Sequence, residues 1–174
     1  MNNLLREKKD VGVIVCRMQV PYLTDSHMKI INTVIERHPR VVICLGVTLK
    51  PIDEKNPFPF LFRKSMIEKT FNNKNVTIVP LADQPDNNKK WVNDLDTIIK
   101  SFLNKGEDAI LYGGRDSFIP YYKKDKGEFN YVELAPTDYD SGTQLRELVS
   151  LNLPEYTPEA ANAILFTMRQ LNLK

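Results

Sequence analysis

Two stretches of this sequence, Val11 to Cys16 (VGVIVC) and Arg40 to Val47 (RVVICLGV), are almost continuously apolar and rich in β-branched residues. A strand with one wet face alternates apolar and polar side chains, so an unbroken apolar run needs cover on both faces. Asn75 to Leu81, Asp108 to Tyr112 and Phe129 to Leu134 read as further strands. Between them lie helical patterns. His27 to Arg37 puts Met28, Ile31, Val34 and Ile35 on one face, and Lys89 to Lys105 does so with Trp91, Leu95, Ile98, Ile99, Phe102 and Leu103. Gly106 falls where a helix stop is expected. Strands alternating with helices predict an α/β fold, a doubly wound Rossmann-like parallel sheet with right-handed crossovers. A length of 174 residues with 42% hydrophobic side chains fits one domain, 1–174, with a proper core. Residues 151–174 read as a C-terminal helical appendage packed on that domain. It starts at Thr157-Pro158, carries Ala161, Ile164, Leu165 and Met168 on one side, and is a candidate contact for a homo-oligomer.

Sheets of this class bind ligands beyond the carboxyl ends of their strands. The loops after Cys16, Gly46, Leu81, Tyr112 and Leu134 are therefore where chemistry is sought. Neither a G-x-x-x-x-G-K-[ST] loop nor a G-x-G-x-x-G turn after the first strand is present, which argues against tightly held dinucleotide chemistry. A formal net charge of +2 is too slight to imply a nucleic-acid partner. No stretch approaches the roughly 20 apolar residues of a membrane span, and MNNLLREKKD leads into no secretory hydrophobic region. Cys16 and Cys44 sit inside apolar runs and read as small buried hydrophobes. The expected setting is cytoplasmic. Lys123 to Glu128 reads as a mobile, solvated turn.

Four segments carry candidate chemistry. CRMQVPYLTDSHMKII runs from the first strand through a proline turn into a helix, aiming His27 and the helix-start N–H groups at the crevice. Such N–H groups favour anions, and the hydroxyls of Thr24 and Ser26 would meet the same phosphate. Read alone, the segment is equally an ordinary cap at Asp25 or Ser26 followed by a surface histidine. Asp140-Ser141-Gly142-Thr143-Gln144-Leu145-Arg146 opens another helix, where Arg146 can reach a phosphate or serve as a plain surface Arg. KPIDEKNPFPFLFRKSMI is a long proline-rich structured loop before a helix. In YGGRDSFIPYY the pair Gly113-Gly114 lets backbone approach a ligand, and Asp116 is expected to cap the next helix. His38, at a helix end before Pro39, reads as structural.

Together these segments resemble the nucleotidylyltransferase superfamily, specifically nicotinamide mononucleotide adenylyltransferases of the archaeal and bifunctional bacterial type. That family's G-R-F-Q-x-P…[HT]-x-G-H is similar to Cys16-Arg17-Met18-Gln19 through Thr24-Asp25-Ser26-His27, and its I-S-x-T-x-x-R to Asp140 through Arg146. Its N-P-[FT] loop before an Arg-bearing helix is similar to Asn56-Pro57-Phe58 with Arg63. Its D-x-x-Y-N-D-x-x-W is similar to the segment from Asp83 to Trp91, which keeps Asp83, Asn87 and Trp91. Ser26 for Gly and Asp140 for an apolar residue are the departures that touch the site.

The resemblance implies transfer of AMP from ATP to nicotinamide (or nicotinate) mononucleotide, giving NAD and pyrophosphate. It implies catalytic roles for His27, Thr24, Arg146 and Arg17. Nucleotide binding falls to Met18, Gln19, Ser26, Gly113, Gly114, Asp116, Ser141 and Thr143, and acceptor binding to Trp91, Asn87 and Asn56. Trp91 also reads as core, since it shares a face with Leu95 and Ile98. The implied partners are ATP and a small phosphorylated acceptor. Mg²⁺ is implied as a passenger on the ATP phosphates, with no metal site built from protein ligands. Alternatives are a relative using CTP or another phosphate acceptor, and a catalytically silent nucleotide-binding regulatory module.

Overall fold

The computed structural model describes residues 10–72, 74–114 and 117–134. Asp116, Asp140, Ser141, Thr143, Arg146 and the 151–174 appendage lie outside the described residues. Five strands form one sheet: β1 (Val11–Cys16), β2 (Arg40–Val47), β3 (Val76–Ala82), β4 (Ala109–Gly113) and β5 (Asn130–Glu133). Their order is β3-β2-β1-β4-β5 and every pair is parallel. The helices are α1 (Asp25–Arg37), α2 (Phe60–Thr70), α3 (Asn88–Phe102) and α4 (Ile119–Lys124). This is the expected doubly wound α/β architecture. No helix among the described residues is long and apolar enough to cross a membrane.

Two cores flank the sheet because successive side chains of a strand point to opposite faces. Ile14, Val41, Ile43, Leu45 and Ile78 pack with Ile31 and Val34 of α1 and Ile67 of α2. Val11, Val13, Val42, Cys44 and Leu111 pack with Val92, Leu95 and Ile99 of α3 and with Ile119 and Tyr122 of α4. β1 and β2, covered on both faces, take the expected bounds. β3 and β4 each start one residue later, since Asn75 and Asp108 meet the ladder only through carbonyls that accept from Val41 N and Val11 N. β5 is one residue shorter at each end than expected. β3 is an edge strand, which is where Pro80, lacking an N–H, is tolerated.

The expected mobile turn at 123–128 is instead pinned. Lys123 and Lys124 finish α4, and the backbone of Gly127 lies so close to the Tyr122 ring that an added Cβ would sit 2.1 Å from it. Tyr122 hydrogen-bonds the buried Asp96 carboxyl through its hydroxyl, which also accepts from Phe129 N at 3.0 Å. Lys100 and Glu128 close the turn with an ion pair at 2.5 Å. The start of α4 also differs from expectation. Phe118 holds the N-cap position and Pro120 lies in the first turn, where its fixed φ suits a helix start.

His38 is structural, as its position at the end of α1 suggested. It is buried between the Asp10 carbonyl, 2.9 Å from Nδ1, and the Tyr112 hydroxyl, 2.8 Å from Nε2. Burial holds its pKa, and that of His27, below the ordinary histidine value. Below about pH 6.5 the unfolded chain therefore binds protons that the folded chain refuses. Stability is full above that pH and is lost as pH falls through the folded-state pKa values. Urea unfolding is expected to show this decline as pH falls below about 6.5, and His38→Gln to flatten it.

Candidate functional site

β1 is central, with β2 on one side and β4 on the other, so the chain leaves it towards α1 and later returns on the opposite side. The crevice beyond β1 and β4 is the point where strand order reverses, and there both neighbouring loops diverge from the sheet. Arg17 leaves β1 with its side chain turned towards the β2 and β3 ends, where it meets Asn56 and Asp83, and Gly113-Gly114 leaves β4 on the other side of β1.

The turn after β1 is built with strain. Met18 has φ 48, a left-handed conformation that disfavours a bulky residue by roughly 1–2 kcal/mol, and its side chain is buried. The turn sends Gln19 inward, where its carboxamide pairs with both backbone groups of one residue. Gln19 Nε2 donates to Phe58 O at 3.2 Å, and Phe58 N donates to Gln19 Oε1 at 2.9 Å. Gln19 thus ties the β1 exit to the loop before α2.

Arg63 makes a second tie, one the sequence offered only as part of a motif. It is 2% exposed, yet no carboxylate among the described residues bonds it. Its guanidinium donates to Phe58 O at 3.0 Å, Arg17 O at 2.6 Å and Gly46 O at 3.0 Å. Burial lowers its pKa to about 10, so it remains a cation at neutral pH. Three backbone carbonyls from three separate segments are gathered by one side chain.

Above this floor lies a polar cluster. Arg17 donates to Asp83 Oδ1 at 2.6 Å and to Asn56 Oδ1 at 3.3 Å, joining the loops after β1, β2 and β3. Its aliphatic stem covers Gly46, where an added Cβ would lie 3.2 Å from Arg17 Cγ.

The head of α1 closes the other side. Thr24 is the N-cap, not Asp25 or Ser26, because its hydroxyl accepts from His27 N. Asp25 and Ser26 therefore lie inside the first turn. His27 Nδ1 accepts from Thr24 N at 3.3 Å, completing a capping box. On the opposite side of the crevice, Gly113 is packed against Ser117 and Phe118, and a Cβ on Gly114 would touch Ile30 of α1 at 3.4 Å.

No family model matches the chain, and no curated protein matches it. Solved structures do. A bifunctional NMN adenylyltransferase/ADP ribose pyrophosphatase from Francisella tularensis, complexed with AMP and a manganese ion, aligns at TM-score 0.73 and 22% identity over 92% of this chain and 49% of its own. A second structure of the Francisella tularensis protein aligns at TM-score 0.75 and 22% identity over 92% and 50%. NadR protein in complex with NAD and AMP-PNP aligns at TM-score 0.59 and 19% identity over 80% and 42%. The chain spans about half the length of the proteins it matches. Its fold is the nucleotidylyltransferase fold.

Within that fold the expected residues divide into groups. Arg17, Asn56 and Asp83 are joined directly, and Thr24 and His27 form a second joined pair. Met18 and Gln19 shape the loop between these two groups. Asn87 and Trp91 stand at the start of α3. The Asn87 oxygen caps the helix by accepting from Lys90 N at 3.0 Å, so its NH₂ is the half able to meet a ligand. Trp91 is half-buried, 6.1 Å from the Phe118 ring, with one flank on the core. The cysteines behave as expected. Both are free, and burial raises their thiol pKa values to about 12, leaving no thiolate for chemistry.

The Arg17–Asp83 pair is partly solvated, so its contribution to stability is small. Asp83→Asn is expected to change unfolding free energy by less than about 1 kcal/mol. The adenylyl transfer proposed below is expected to drop about 10–100-fold, because Arg17 loses the partner that aims it. Urea unfolding and steady-state kinetics on the same preparation test both halves.

Proposed function

We propose that this chain transfers AMP from ATP to nicotinamide mononucleotide, or its nicotinate counterpart, releasing pyrophosphate and giving NAD. What supports the reading is the carboxyl end of β1. There Arg17, tied to Asn56 and Asp83 on the β2–β3 side, is carried on a strained turn that leads into the capped helix bearing Thr24 and His27. The ligands named with the similar structures, AMP, NAD and AMP-PNP, are of the same chemical class.

In the proposed reaction an oxygen of the acceptor phosphate attacks the α-phosphorus of ATP in line. The bond from that phosphorus to the bridging oxygen breaks, and pyrophosphate leaves. The chain then needs no covalent nucleophile; it supplies positioning and charge stabilisation. His27 donates to the α/β-phosphate oxygens, and Thr24 helps orient the transferred phosphate through the ring it holds. Arg17 and Arg146 offset the charge growing on pyrophosphate. Ser26, with the α1 N-terminus, and Met18 and Gln19, through the loop they hold, bound the nucleotide site. Adenine rests against backbone at Gly113 and Gly114, with Asp116, Ser141 and Thr143 completing its surroundings. On the acceptor side Trp91 stacks on the nicotinamide ring, the Asn87 amide meets its carboxamide, and Asn56 lies at the acceptor phosphate.

Mg²⁺ enters the proposed reaction as a passenger on the ATP phosphates; the carboxylate nearest Arg17, Asp83, is engaged by that guanidinium. When bound, the cation would neutralise phosphate charge, and the side chains of this chain would contact the phosphates around it.

The test is direct. Purified protein is incubated with ATP, Mg²⁺ and nicotinamide mononucleotide, with nicotinate mononucleotide, CTP and other phosphate acceptors in parallel. Dinucleotide and pyrophosphate in equal amounts are expected. ATP binding without either product, across the whole panel, would leave a silent nucleotide-binding module in place of an enzyme.

A further inference from the structure

A capping box ordinarily places Glu or Gln at the third helical position, whose side-chain oxygen accepts from the N-cap N–H. In α1 that position is His27, and the acceptor is a ring nitrogen. A backbone N–H can only donate. Thr24 N, 3.3 Å from His27 Nδ1, therefore requires a lone pair there. The Thr24 hydroxyl adds a second donor. Since that nitrogen carries a lone pair, the proton shared between it and the Thr24 oxygen, 2.8 Å away, belongs to the hydroxyl, whose oxygen still accepts from His27 N at 3.4 Å. An imidazolium, or the tautomer protonated at Nδ1, would set that N–H against the Thr24 backbone N–H, which can only donate.

The second histidine has the opposite arrangement. His38 Nδ1 faces the Asp10 carbonyl at 2.9 Å, which can only accept, so that nitrogen carries the proton. Its Nε2 then accepts from the Tyr112 hydroxyl at 2.8 Å.

We infer that Thr24 is a positioning residue that fixes His27 as a neutral imidazole with its proton on Nε2, presenting one oriented N–H to an anionic oxygen. The catalytic consequence rests on the proposed adenylyl transfer; the tautomer does not. Burial, which also disfavours the charged ring, acts in the same direction. For phosphoryl chemistry a neutral donor is sufficient, since pyrophosphate leaves as an anion and its oxygen needs a hydrogen bond rather than a proton. Thr24 would then matter twice, once as the helix cap and once through the ring it holds.

The 174-residue chain has only two histidines, which makes the inference readable by ¹⁵N spectroscopy of that chain labelled at histidine. At neutral pH, long-range ¹H–¹⁵N correlation is expected to show one ring protonated at Nε2 and one at Nδ1. His27→Gln is expected to remove the first. Finding His27 protonated at Nδ1, or as imidazolium, overturns the inference. Thr24→Val removes one of the two donors to Nδ1. It is expected to mix the His27 tautomers and to lower kcat at least about tenfold, with KM for ATP changed by less than about twofold. Thr24→Ser is expected to restore both. A fall in kcat with the His27 tautomer unmixed would mean that Thr24 acts on the ligand directly, and would overturn the positioning role. If wild type turned over no acceptor, adenylyl transfer would fall while the spectra still decided the tautomer. If Thr24→Val did not fold, the wild-type and Thr24→Ser spectra would decide.

Discussion

His27→Ala is expected to lower adenylyl transfer about 100–1,000-fold, the scale on which removal of one preorganised donor acts. The ring is held by the Thr24 hydroxyl and N–H, so its outer nitrogen is already oriented before substrate arrives. A donor that needs no reorganisation acts mainly on the transition state, so the loss is expected in kcat, with KM for ATP little altered. The fold is expected to survive, because the Thr24 hydroxyl still accepts from the backbone N of residue 27. Only the reciprocal half of the capping box is lost, a change of about 1 kcal/mol. Activity near the wild-type level would remove His27 from the site, even if the chain still made NAD.

What the sequence disclosed depended on how local each determinant is. β1 and β2 were legible to the residue because strands buried on both faces are written as unbroken apolar runs. The faces of α1 and α3 were legible because helical period shows within a dozen residues. The cap of α1 was less so. Thr24, Asp25 and Ser26 are all good N-caps, and the choice among them is made by His27, whose ring can reciprocate only to Thr24. The tight turn at 123–128 looked solvated because its restraints, Asp96 and Lys100, come from a different helix. Gln19 was implied as nucleotide-binding by resemblance, and the structure commits its amide to Phe58. Nothing near Gln19 in the chain announces a partner 39 positions away. Arg63 is the strongest case. A lone Arg on a helix reads as solvated, and burying one without a carboxylate is rare. The available hint was its place in FPFLFR, an aromatic segment offering it no water.

Arg63→Met is expected to destabilise the protein by on the order of 3 kcal/mol, lowering the urea midpoint by about 1–3 M. Two effects oppose each other here. Burying a guanidinium costs several kcal/mol in lost hydration, so replacing it with an apolar side chain of similar length would relieve that penalty. Against this stand three charge-assisted hydrogen bonds, each contributing about 1.5–3 kcal/mol. Their acceptors belong to Arg17, Gly46 and Phe58, and in the variant these carbonyls would face a thioether. At least two of them would be left without a partner unless the loops open to admit water. The second effect is therefore expected to win, and opening the loops would also release Arg17 from its place over Gly46. Turnover is expected to fall even at temperatures where Arg63→Met is fully folded, which separates loss of site geometry from loss of stability. Arg63→Lys keeps the charge but not the planar fork, and is expected to fall between wild type and Arg63→Met in both measurements. A variant as stable as wild type would show that desolvation dominates, and that the site floor is held by packing around Phe58 and Ile67 instead of by this cation.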